Sequence, residues 1–467
     1  MSVLTRDISN NRAIARAATA SKSVERWLYD LQRTTATGAT STMTIADRFA
    51  MIGLWPEDFG AARDGVTDDC TALTNWLNAV AASPAKRGYM RSGTYACDGA
   101  LPKITTSGVE IIAVGSSDNH DVGSATGTII KATGATTGHI MLDIGPTEGA
   151  SAQRLDAIKL DGITFDANGK AAKGVRVKSI RRSWLDLEVL NATAIGLELN
   201  VATTLGEGTS PQDNIIIYNG RQIETPGGIS LVLDGDTNGN PSFNTFWVDI
   251  QHSDAVAIQH KNSDNNLWMI TRTARTGGGS ATNSIEWRGG ASSALSCRDE
   301  HYEWLSVSHA CIAKGTGTYT VGAQRIIISH LDVDNGSPSP TCETGARIEG
   351  IWLDYTPTLS STTNTITTVG TCTGRYRIED NKVFWKANCA ITTNGTAAGK
   401  NRITLPANPG NVVGASYATG RASAVSGKML LGYFTNGQQY VDVQNYDDTY
   451  PGANGETLSL SGWYEVS

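Results

Sequence analysis

The densest group of reactive side chains in this sequence falls between residues 272 and 303, where Arg272, Arg275, Glu286, Asp299, Glu300, His301, Tyr302 and Glu303 lie close together in the chain. Two carboxyl groups in such a cluster can cleave a glycosidic bond. One protonates the leaving oxygen and the other serves as base or nucleophile, with a gap of about 5 Å suiting retention and about 9 Å suiting inversion. Glu286 and Glu303 are the candidate catalytic pair. Arg272, Arg275, Asp299 and Glu300 are the candidate substrate-binding residues, the arginines orienting an acidic sugar through charge-assisted hydrogen bonds. A patch of solvated surface charge has the same composition without any activity.

Other chemistries find less support. Asp234-Gly-Asp-Thr-Asn-Gly239 opens like a calcium loop, but its twelfth position is Thr245, where a bidentate glutamate is needed, so it reads as a polar turn. The seven cysteines are scattered, odd in number and contain no C-x-x-C. That spacing argues against a zinc site and a disulfide framework, and for small buried side chains in a protein assembled under reducing conditions. No P-loop, G-x-G-x-x-G or G-x-S-x-G occurs in a strand-to-helix setting. The sequence therefore implies no metal and no cofactor.

What must position the cluster is a chain of 467 residues with 50 glycines, 40% hydrophobic and 18% charged residues, and a formal charge of −7. It has no basic domain, which argues against nucleic acid as partner. No apolar run is long enough for membrane insertion, and no apolar signal core opens the chain. Three textures follow one another. Residues 1–55 carry the only other helical periodicity, then a Thr/Ser/Gly/Ala tract, and read as a docking arm with a linker. Residues 56–355 are short strands separated by Gly, Asn, Asp and Ser, too many for one sandwich. Phe246, Trp268, Trp287 and Trp304 recur at steps near 20 residues, the size of one rung of a parallel β-helix. If those four rings fill the bore, Trp247, Asp249, Glu286, Arg288 and Glu303 face outward; a slip of one residue would exchange the faces. Residues 356–467 alternate with turns at sandwich spacing.

The stretch Asp58–Val80 reads DFGAARDGVTDDCTALTNWLNAV. Gly60 and Gly65 permit tight turns, Thr67 can cap a helix with Asp68 and Asp69 in its first turn, and Leu73, Trp76, Leu77 and Val80 form one apolar face. Such a helix, near residues 68–82, would close the open end of a rung stack. This motif resembles the opening of the pectate-lyase-like β-helix proteins of bacteriophage tailspikes, with Arg63 where glycine is usual and Cys70 where threonine is usual. Gly88-Tyr-Met-Arg-Ser-Gly93-Thr-Tyr95 resembles the following element of that family. The resemblance implies an all-β chain: a right-handed parallel β-helix (a solenoid) with a short N-terminal helical arm and a C-terminal antiparallel β-sandwich. It further implies a homotrimer in the virion tail, assembled in the host cytoplasm, docked to tail or baseplate proteins by its arm. The partner would be host surface polysaccharide, bound and degraded during adsorption. A non-enzymatic adhesin and a secreted pectinolytic enzyme are the alternatives.

Overall fold

The computed structural model describes residues 53–466, apart from 116–126, 135–137, 148–152, 202–209, 224–227, 236–238, 254–255, 275–282, 289–298, 308–309, 315–324, 334–340, 343–346, 407–411, 414–415 and 435. The expected docking arm, up to residue 52, and Arg275 lie outside the described residues, as does most of the turn after Asp234.

Rungs follow one another along the chain. Trp184–Leu190 runs into Ile195–Asn200, Ile215–Ile223 into Ile229–Asp234, Thr245–Ser253 into Val256–Lys261, Leu267–Ala274 into Asn283–Arg288, and Glu300–Val307 into Ala310–Lys314. The first strand of each pair stacks in parallel on the first strand of the next, and the second on the second. Two parallel sheets result, of 14 and 8 strands. A third face is reduced to Leu155–Asp156 paired with Ile180–Arg181, continued by single bridges through Gln212, Ser242 and Asp264. This is the expected parallel β-helix.

The bore fills by alternation. Leu185, Leu187 and Val189 are fully buried in it, and register stacks Leu185, Ile216, Phe246, Trp268, Tyr302 and Ile328 in one column. Phe246 and Trp268 stack nearly parallel at 4.0 Å, and Trp268 stacks on Tyr302 at 5.7 Å. Trp287 enters from the second sheet, its Nε1 donating to the Tyr302 hydroxyl at 2.8 Å. Trp304 is not part of this stack. It sits outside, on His330, at 3.9 Å. The apparent 20-residue step mixed the two sheets; true rung partners in this part of the rod are 22 to 35 residues apart, as in Asn244–Asn266 and Met269–Trp304.

One corner of the rod is built by a repeated device. Arg182, Asp213, Phe243, Asn265 and Asp299 all adopt left-handed φ, between 48° and 55°. The residues after them, Ser183, Asn214, Asn244, Asn266 and Glu300, are buried beneath one another. Asn214 Nδ2 donates to Asn244 Oδ1 at 2.8 Å, and Asn244 Nδ2 to Asn266 Oδ1 at 3.0 Å. Polar groups this deep must be paired, so the ladder fixes the register of one rung on the next.

The N-terminal end is closed by helix α1 (Cys70–Ala82), with Ala72, Leu73, Trp76, Leu77 and Val80 buried. Burying each larger side chain stabilises the lid by about 1.5–3 kcal/mol. Trp76 Nε1 also donates to the Leu54 carbonyl at 2.8 Å. The helix start differs from the expectation. Thr67 bonds Asp64 instead of capping, and the N-cap residue Asp69 turns its carboxylate back onto the amides of Ala62 and Arg63. Gly60 and Gly65 have positive φ, and so does Arg63, at 50°. Cys70 and Cys97 form a disulfide between the lid and the strand Gly93–Cys97, which corrects the reading of the cysteines as unpaired.

Beyond the last rung, ten antiparallel strands form one sheet. Its strand Leu353–Tyr355 begins slightly before the expected boundary at 356. The sheet starts with that strand and ends with the next in sequence, Leu359–Thr363. Trp385, Leu460, Phe434, Val441 and Ile403, spread across its strands, are all buried on the inner face. A single sheet does this only by curling on itself.

Candidate functional site

The first sheet bulges at Glu303. Trp268 pairs with Tyr302, but the next residue, Met269, pairs with Trp304, so Glu303 is the extra residue. A bulge of this kind re-aims side chains and breaks the alternation. Tyr302 and Leu305 point into the bore, and Glu303 and Trp304 both face outward with His301. The Glu303 side chain is 58% exposed, 3.5 Å from His301 Nε2. That imidazole nitrogen also lies 3.0 Å from the Ser329 hydroxyl, and Trp304 stacks on His330. An exposed carboxylate, an imidazole and a hydroxyl thus surround a flat Trp–His ring pair. The chemistry fits a sugar, whose hydroxyls take hydrogen bonds while its C–H face lies on a ring.

The sequence-derived candidates do not converge here. Glu286 belongs to the second sheet, between the bore-facing Ile285 and Trp287. It faces away from the bore as expected, yet is only 4% exposed and accepts from Gln259 Nε2 at 3.1 Å. It therefore does not share a face with Glu303. Glu300 is fully buried at the foot of the asparagine ladder, accepting from Asn266 Nδ2 and Trp268 Nε1. It cannot meet a polymer outside the rod without unfolding that rung. Asp299 is the left-handed corner residue, 3.6 Å from Arg325, which in turn pairs with Glu349 at 3.0 Å. Arg272 lies in the strand Leu267–Ala274, in register with Asp249. Asp234, at the calcium-like turn, pairs with Lys261 at 3.3 Å.

Ser329 and His330, contributed by the following rung, escaped sequence reading because nothing local marks them as neighbours of Trp304. A second arrangement also went unread. Trp184, Ile215 and Leu267 are exposed in one column on the outer face of the first sheet, and Trp247 is exposed on the same face two residues beyond Thr245, the member of that column in its own rung.

No protein-family model and no curated protein matches the chain. Similar solved structures include ORF18 of Geobacillus virus E2, 14% identical with a TM-score of 0.42, covering 88% of this chain and 80% of that one. The Dettilon tailspike protein is 14% identical with a TM-score of 0.35, covering 92% and 97%. The A-module of the Azotobacter vinelandii mannuronan C-5 epimerase AlgE4 is 14% identical with a TM-score of 0.33, covering 64% and 100%. The chain's own stacked sheets, apart from these likenesses, make it a parallel β-helix protein with a lid at one end and an antiparallel sheet at the other.

Proposed function

We propose that this chain is a tailspike-type component of a phage virion tail that binds host surface polysaccharide along the outer face of its rod. The observation that carries the reading is the bulge at Glu303, which presents Glu303, His301 and the Trp304–His330 ring pair together on one exposed face. The lid motif, with its resemblance to tailspike openings, supports the phage setting. Glu286 and Glu303 stand in different sheets, so the proposal rests on binding and not on that carboxylate pair. The test is retention of the purified protein on immobilised host polysaccharide, for the parent and for Trp304→Ala. Binding that survives Trp304→Ala undiminished would remove the bulge from the proposal. Following polymer length and new unsaturated ends in the same incubation shows whether cleavage accompanies binding.

The exposed strip Trp184–Ile215–Trp247–Leu267 favours a second element of the proposal, side-by-side packing of three copies. Aliphatic and aromatic side chains on a long sheet gain more from a second protein surface than from a hydrated glycan. Trp247→Glu should then lower the sedimentation coefficient towards that of a single chain.

A further inference from the structure

Across the outer face of the terminal sheet runs a row of rings. Phe384 pairs with Trp463, and Tyr417 pairs with Tyr433. Ala418 pairs with Gly462, which sets Tyr417 beside Trp463 and joins the two pairs. The four rings stand on consecutive strands of the sheet, Lys382–Thr393, Thr457–Val466, Ser416–Ala422 and Met429–Phe434. Three inter-strand steps make the row about 14 Å long. Tyr417 is 76% exposed and Trp463 45%, while Phe384 and Tyr433 are half-buried. The inner-face neighbours Val383, Trp385, Ala418 and Tyr464 already fill the core, so these rings have no packing role there.

The border of the row identifies what it takes. Lys382 Nζ lies 5.2 Å from the Trp463 ring centre, Lys400 Nζ 4.2 Å from that of Tyr433, and Arg377 5.8 Å from that of Phe384. Lys386 Nζ lies 5.3 Å from the Trp352 ring. Among the described residues, the ion pairs of this sheet join Arg375 to Asp354, Arg377 to Glu379, Arg402 to Asp442 and Lys428 to Asp447. Lys382, Lys386 and Lys400 instead rest over aromatic faces; Lys382 stands between Glu379 and Glu465 in the cross-strand register, and Lys386 between Arg375 and Ser461. In a chain of net charge −7, the three lysines bring positive charge to one face. Ser461, Thr419 and Gln444 occupy the adjoining outward row. Leu431 and Met429 are the aliphatic members near it. A row of flat rings edged by cations and hydroxyls suits a chain of sugars bearing carboxylates or other anions, and suits a protein copy poorly.

We infer that the terminal sheet binds an acidic polysaccharide laid across its strands, its rings on Trp463, Tyr417 and Tyr433 and its anions on Lys382 and Lys400. This rests on the reading of the protein as a polysaccharide binder, but assigns a second surface, separate from the bulge on the rod. The test uses the full chain, as parent, as Tyr417→Ala/Trp463→Ala and as Lys382→Gln/Lys400→Gln. Each is passed over immobilised polygalacturonate, alginate, hyaluronate and polysialate, and over the neutral methyl ester of polygalacturonate. The parent should be retained on at least one acidic polymer, less so as salt rises, and not on the neutral ester. The ring variant should bind about tenfold more weakly or worse, and the lysine variant should lose the salt dependence. Both should unfold at the parent's temperature, because all four side chains lie outside the core. Absence of retention on every acidic polymer overturns the inference, as does retention unchanged in both variants. A ring variant that binds normally but sediments as a smaller species identifies a second copy as the occupant and also overturns it. If Trp304→Ala abolishes retention while the two terminal variants leave it intact, the inference fails and the rod proposal stands.

Discussion

Asn266 Nδ2 donates to Glu300 Oε1 at 2.9 Å, so the ladder of buried amides ends on a carboxyl group. Each amide upstream donates to the oxygen of the next, and the last position needs only to accept. Glu300 also accepts from Trp268 Nε1, and lies 4.0 Å from His260 Nδ1. Burial raises its pKa to about 7, against the downward pull of hydrogen bonds from Ser263, Trp268 and Asn266. Burial holds His260 down at about 3, so the imidazole supplies no compensating charge.

Glu300 should make stability depend on pH. Its folded pKa lies above its ordinary value of 4.5. Its contribution is therefore fully present below about pH 4.5, falls as pH rises to about 7, and is flat above. The loss is worth up to about 3 kcal/mol. Glu300→Gln should flatten this decline and unfold at a higher temperature than the parent at pH 8, the two converging near pH 4. Thermal unfolding across that range checks it; parallel profiles for the two proteins would show that Glu300 is not the titrating group.

The ladder itself should be fragile in the middle. Asn244 Oδ1 accepts from the Asn214 amide and side chain, and its Nδ2 donates to the Pro211 carbonyl. Asn244→Ala orphans the Asn214 backbone amide, at about 1–3 kcal/mol, and takes one acceptor from the Asn214 side chain, while the Pro211 carbonyl keeps the Ser242 amide. A lowered denaturant midpoint, with the far-ultraviolet spectrum of the native protein unchanged, is the expected result.

Gly88 sits under the lid with no room for a side chain. A Cβ there would lie 2.5 Å from Trp76 Cζ2 and 3.0 Å from Val80 Cγ2. Gly88→Ala should lift helix α1, costing about 1–3 kcal/mol by overpacking. Faster hydrogen exchange in residues 70–82, with the rungs beyond residue 184 unaffected, would show it.

The lid should also respond to reductant. The Cys70–Cys97 bond closes a segment with a sequence separation of 27. Closing a loop of that size contributes about 3.5 kcal/mol in the chain-entropy description. Peptide mapping without reduction should recover the two cysteines in one linked fragment, and reductant should lower the unfolding temperature of the parent but not of Cys70→Ser.

The lid was legible because its signal is local: two glycines, an acidic turn and an apolar face all fall within 23 consecutive residues, Asp58–Val80. The rod was legible as a texture, from short strands and polar turns. Its register was not. Phe246 and Trp268 do stack, but Trp287 belongs to the other sheet and the bulge at Glu303 turns Trp304 outward. Rung lengths vary, so no fixed step points from one bore residue to the next. The corner pairs Asp213-Asn214, Phe243-Asn244, Asn265-Asn266 and Asp299-Glu300 were the better guide, each a left-handed residue followed by a ladder side chain. Had Glu300 been read as the fourth member of that series, it would not have been placed on the surface. The ring row of the terminal sheet was hidden for a different reason: its four members come from strands up to 79 positions apart, and only pairing order aligns them.

The terminal sheet begins and ends on consecutive strands, Leu353–Tyr355 and Leu359–Thr363, joined through Thr356, Pro357 and Thr358. Its margins therefore meet at a short seam occupied by strands of three and five residues, one of them followed by a proline two positions on. At the seam a neighbouring chain finds only these short strands to extend, although Thr368–Thr373 of the next strand has no strand partner on that side among the described residues. Crowded at high local concentration, such a seam resists growing into a shared ribbon with its neighbours, and the rings of the sheet meet whatever they recognise broadside.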